Sequence, residues 1–73
     1  MVKDEYYRRL ARANRLIAHA RERVDQQKSR VLELSGSPQC GEAVLLLRAL
    51  DRALRLMLRH RAGLIRRLMQ WPS

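Results

Sequence analysis

From position 4 to position 34 the apolar residues follow a heptad. Tyr6, Leu10, Ala13, Ile17, Ala20, Val24, Val31 and Leu34 are separated alternately by four and three residues, with Gln27 as the polar member of the same row. That spacing lines one face of an α-helix, and no Gly or Pro interrupts it. The pattern predicts a first helix over 4–34, with Asp4 as N-cap or first-turn acid and Gly36 placed where a left-handed C-terminal cap is wanted.

The second half is patterned differently. Around a helix of 3.6 residues per turn, Val44, Leu46, Leu47, Leu50, Leu54, Leu56, Met57, Leu58, Leu64, Ile65, Leu68 and Met69 spread over roughly 240°, about twice what a surface helix needs. The remaining sector holds Arg48, Arg52, Arg55, Arg59 and Arg66 in one row. A second helix over 38–70 is predicted. Ser37 stands as its N-cap and Pro38 at its first position, or the start slips to about Gly41 or Glu42. Trp71 before Pro72 closes it.

Ser35-Gly36-Ser37-Pro38 is the strong turn signal of the chain. Two helices of similar length, each near 45 Å by their rise per residue, joined by a turn at 35–38 make an all-α antiparallel two-helix hairpin, a single unit over 1–73. The expected register sets Ile17 against Met57, Val24 against Leu50 and Leu10 against Leu64, and gathers Tyr6, Leu68 and Trp71 at the open end. Ala13 and Ala20 allow close approach.

The two faces do not match in width. Helix 1 offers a stripe of about 120°, so pairing leaves helix 2 uncovered on both flanks: Leu46, Ala49 and Leu56 on one, Val44, Leu58, Ile65 and Met69 on the other. Four large side chains left wet would forgo on the order of 6 to 12 kcal/mol, comparable with the stability of a whole domain. The expectation is therefore association through Leu46, Leu50, Leu54, Leu56, Met57, Leu58, Leu64, Ile65 and Leu68. The simplest form is a homodimer building a four-helix bundle, with a higher oligomer or another protein as alternatives.

Composition sharpens this. At 73 residues the chain is in the range where one core is marginal, while 47% hydrophobic content argues against disorder despite 32% charged residues. A net charge of +9 attracts nucleic acid, anionic lipid or acidic protein, or reflects a solvated arginine face. The row from Arg48 to Arg66 spans about 27 Å, enough to follow a phosphate backbone, yet no aromatic residue is interleaved with it. Binding to nucleic acid or to an anionic membrane surface through Arg48, Arg52, Arg55, Arg59 and Arg66 is the alternative function. The longest uninterrupted apolar run, Ala43 to Leu47, is far short of the roughly 20 residues of a membrane span. The start of the chain has no apolar signal region, and a cytoplasmic protein is expected.

Little here points to chemistry. Cys40 is the one cysteine and reads as a small seam residue near the start of helix 2. His19 and His60 fall on different levels with no nucleophile in register, so no catalytic, metal or cofactor site is expected and the chain reads as a non-enzyme. Three polar residues stand at or beside the seam: Gln27, His60 and Arg61. Arg61 lies in the middle of the apolar face, where it either snorkels past Ala13 toward Asn14 or solvent, or makes a buried polar contact that fixes register or partner identity. Gln27 invites the same two readings.

Ile17-Ala18, Arg23-Val24, Gln27, Val31, Leu34, Gly36, His60-Arg61, Leu64-Ile65 and Leu68 together give residues 16–68 a pattern that resembles a group of short bacterial helical-hairpin proteins of uncharacterised function. The chain departs from that pattern at Ser37-Pro38-Gln39-Cys40, where a more polar, acid-containing turn is expected. The resemblance implies the hairpin and points at Gln27 and His60-Arg61; it implies no activity.

Overall fold

The computed structural model describes residues 2–72, and in it the heptad row of the first half and the wide apolar arc of the second each form one long helix. Helix α1 runs Lys3–Glu33 and α2 runs Cys40–Met69, packed side by side in a rod of 57 × 14 × 14 Å. No strand occurs among the described residues. Asp4 and Glu5 occupy the first turn of α1, where carboxylates oppose the positive end of the helix dipole. Asp4 is thus a first-turn acid, with Val2 at the cap position.

Of the two expected starts for α2, the structure follows the later one, with the helix beginning at Cys40, one residue before Gly41. Ser37 and Pro38 lie outside the helix, which is preceded by Gln39 at the cap position, without a side-chain cap. Two successive four-residue reversals consume the connection: the Ser37 amide donates to the Leu34 carbonyl at 2.8 Å, and the Cys40 amide to the Ser37 carbonyl at 3.1 Å. The Ser37 hydroxyl is turned inward on this loop, bonded to the Gln39 side chain and accepting from the Gln39 amide at 3.3 Å. It is therefore spent on the reversal rather than on capping a helix that starts at Pro38. The first regular helical bond across the junction runs from the Ala43 amide to the Gln39 carbonyl.

Gly36 has φ +81°, at the third position of the Leu34–Ser37 reversal, where positive φ is the usual requirement. A Cβ built there meets nothing within 4 Å, so a substitution is penalised by backbone conformation alone. Gly36→Ala is expected to cost about 1 kcal/mol, read as a lower urea midpoint at unchanged slope; an unchanged midpoint would show that the loop relaxes freely.

Interhelical contacts hold the expected register to within a helical turn: Gln27 meets Ala43, Asn14 meets Arg61, and Tyr6 meets Arg67. The core is thin. Tyr6, Ala13, Ile17, Val24 and Gln27 are buried on α1, but only Ala43 and Leu64 on α2, and no described side chain is wholly enclosed.

Candidate interaction surface

The width mismatch read from the sequence has a geometric outcome. Leu64 is 4% exposed and sits against Tyr6 and Ala13, with Leu68 and Trp71 packed around them, so it is spent within the hairpin. Leu50, Leu54, Met57, Leu58, Ile65 and Leu68 are half-buried, while Leu46 and Leu56 remain exposed. The candidate association residues thus divide into a seam that α1 already covers and two open flanks.

On one flank, Leu46 and Leu56 face the α1 row that contains Arg9, Leu16, Arg23 and Arg30. Leu16, Leu56, Met57, His60 and Ala13 together line a shallow, almost wholly apolar depression of about 250 Å³. On the other, Leu58 stands across from Asn14, Ala18 and Arg21, with Val44, Asp51 and Ile65 in its own row along α2 by helical periodicity.

The polar seam residues have partners. The Gln27 side-chain amide donates to the Ala43 carbonyl at 2.9 Å and is buried; this bond ties α1 to the first turn of α2 directly above the turn. Gln27→Met, which keeps the volume and removes the bond, is expected to lower stability by about 0.5–1.5 kcal/mol in thermal unfolding, and equal stability would reduce Gln27 to packing. The Arg61 Nε donates to the Asn14 Oδ1 at 2.6 Å in an exposed setting. Of the two readings of Arg61, the side chain follows the outward one, toward Asn14. His60 is exposed at the rim of the Leu16–Leu56 depression.

All five residues of the arginine row are exposed. Arg55 pairs with Asp51 at 3.1 Å, one turn apart, and no other acidic partner of the row occurs among the described residues. Leu45, 63% exposed, lies among these arginines; the apolar arc read from the sequence did not include it, because its angular position belongs to the charged sector.

The open end is more tightly clasped than the periodicity alone conveys. Tyr6 and Trp71 meet edge to face with ring centroids 5.4 Å apart, Arg67 donates to the Tyr6 hydroxyl at 3.4 Å, and the Arg9 guanidinium lies 5.8 Å from the Tyr6 ring centroid. Tyr6, Leu68 and Trp71 were expected together; Arg67 and Arg9 were not, since a charge gives no periodic signal for an aromatic partner.

No three of His, Cys, Asp and Glu gather at metal-binding distance among the described residues. No described helix is long and apolar enough to cross a membrane. Side by side, α1 and α2 define an antiparallel α-hairpin with an incompletely covered second helix. No protein-family model matches the chain, and no curated protein or solved structure matches it either.

Proposed function

We propose that this chain is a small non-enzymatic interaction protein that completes its core by association through the apolar face of α2, in the first instance with a second copy of itself. The observation that carries the reading is the surface the hairpin leaves open. A folded monomer of 8.6 kDa is expected to expose about 4,700 Å², whereas this chain exposes 5944 Å². Its radius of gyration is 16.7 Å against about 11 Å for a globular chain of this length.

The flank of Val44, Leu58 and Ile65 suits a second copy. Its charges are of both signs: Arg21, Asp25 and Lys28 share one side of α1 by helical periodicity, and the register that sets Asn14 against Arg61 and Gln27 against Ala43 puts Arg21 at the level of Asp51 on α2. A copy laid with its α2 over this α1 brings Asp51 opposite Arg21, with every neighbouring helix antiparallel, as in a four-helix bundle. Light scattering at micromolar concentration is expected to return twice the chain mass, with helicity and mass falling together on dilution. A stable helical monomer there would overturn the reading.

The exposed arginine row supports a second reading, sequence-independent binding of nucleic acid. Repeating the mass measurement with duplex DNA tests it: complexes that dissolve steeply with salt, and that weaken when Arg48, Arg52, Arg59 and Arg66 are neutralised, would favour it.

A further inference from the structure

One flank of the hairpin is apolar in its middle and predominantly basic along its rims. Four neighbouring depressions open along the groove between α1 and α2 on this side. In the middle, Leu16 and Leu56, 47% and 62% exposed, meet across Met57 with almost no polar surface between them. Leu46 continues the floor toward the turn. The rims are arginine at both ends: Arg23 and Arg30 toward the turn, Arg9, Arg12 and Arg67 toward the open end. Against these, the residues lining the groove include one carboxylate, Glu33.

We propose that this groove receives an acidic amphipathic helix of another protein, its leucine-type side chains on Leu16, Leu46 and Leu56 and its carboxylates on the flanking arginines. The proposal rests on the reading of α2 as an associating surface and assigns the occupant of its second flank. Charge decides against a second copy here: in a twofold contact the groove meets itself, so Arg9, Arg12, Arg23 and Arg30 of one copy face the same arginines of the other, and like charges in a partly dry contact are costly. Nucleic acid would satisfy the arginines but leave Leu16 and Leu56 wet, and no aromatic ring lines the middle of the groove for bases to stack on. Area agrees. A standard interface covers about 800 Å² per partner, whereas the surface in excess of a compact monomer is roughly 1,200 Å², so a dimer on the opposite flank leaves room for a second contact. Arg9 to Arg30 spans about 32 Å, the length of a helix of about 20 residues, docked in the helix-in-groove manner.

The test uses the full chain and two synthetic probes of about 21 residues, both with leucine at heptad a and d positions, one flanked by glutamate and the other by lysine. Like charges keep each probe largely unfolded alone, so gain of helicity by circular dichroism and anisotropy of a labelled probe both read binding. The glutamate probe is expected to bind and to weaken about tenfold or more between low and high salt, while the lysine probe does not bind. Exposed positions are chosen for the variants so that the hairpin survives: Arg23→Glu with Arg30→Glu, and separately Leu56→Glu, are each expected to weaken the glutamate probe at least tenfold at unchanged helicity of the chain. Failure of the glutamate probe to bind, or binding indifferent to both variants, overturns the proposal. So does a dimer that dissociates on Leu56→Glu, which would place a second copy in the groove and leave the proposed self-association standing. Duplex DNA or anionic vesicles that bind where the glutamate probe does not, and are lost with the Arg23/Arg30 pair, would reassign the groove to a phosphate-bearing surface. A chain that stays a folded monomer yet binds the glutamate probe overturns self-association while supporting the groove.

Discussion

Leu64→Ala is expected to remove most of the stability of the isolated hairpin. Leu64 is the one large buried side chain of α2, closing over Tyr6 and Ala13 with Leu68 and Trp71 around it. Truncating a buried leucine typically costs 2–5 kcal/mol, and a single core in a chain below about 70–80 residues seldom supplies more than about 3–5 kcal/mol. No other side chain stands ready to fill the space, because the core is one layer thick. Thermal unfolding by circular dichroism is expected to shift steeply downward or to lose its cooperative transition. Leu45→Ala in the same helix, at an exposed position, is expected to change stability by no more than about 0.5 kcal/mol. Equal melting of the Leu64→Ala variant and the parent chain would mean that the helices are held by something other than this seam.

Leu58→Glu combined with Ile65→Glu is expected to convert the proposed dimer to monomer. Both residues are half-buried in the hairpin, so each retains apolar surface that only a second copy covers in the proposed assembly. Covering the half of a large side chain that remains open contributes about 0.7–1.5 kcal/mol, and a twofold arrangement doubles every change, since each copy carries both substitutions. A shift in the dissociation constant of about a hundredfold or more follows from 1.4 kcal/mol per factor of ten. Mass by light scattering reads it directly, with Leu45→Glu as the charge control that leaves mass unchanged. Retained dimer mass in the double variant would remove this flank from the interface.

Much of the architecture was legible in the chain because periodicity is a local, additive signal. The heptad through Tyr6, Ile17 and Val24 specified one helix face, the Gly36 region was the strong break, and two long helices with a short connection leave few arrangements besides a hairpin. The first residues of α2 were not legible in the same way. Ser37-Pro38 carries a good helix-start signature, yet the chain must also reverse direction within the same few residues, and the reversal takes the Ser37 hydroxyl and carbonyl for itself. The surface was half legible. Helical angles show that the apolar arc of α2 is too wide, but they cannot sort its two flanks by charge, because that difference comes from α1: Arg9, Arg23 and Arg30 fall beside one flank, Arg21, Asp25 and Lys28 beside the other, and only pairing the helices sets each row against its neighbour.

Trp71 is the one tryptophan in the chain, and it packs on Tyr6 at the end farthest from the turn. Interhelical hydrogen bonds join residues 16 apart near the turn and 61 apart at the open end. Loop-closure entropy grows with the length enclosed, so the helices are expected to zip from Gly36 outward, each new contact closing only a slightly larger loop. The indole is then the last group to dock and the first to leave, and its emission in a rapid-mixing experiment times the final step of closure separately from the earlier rise of helicity.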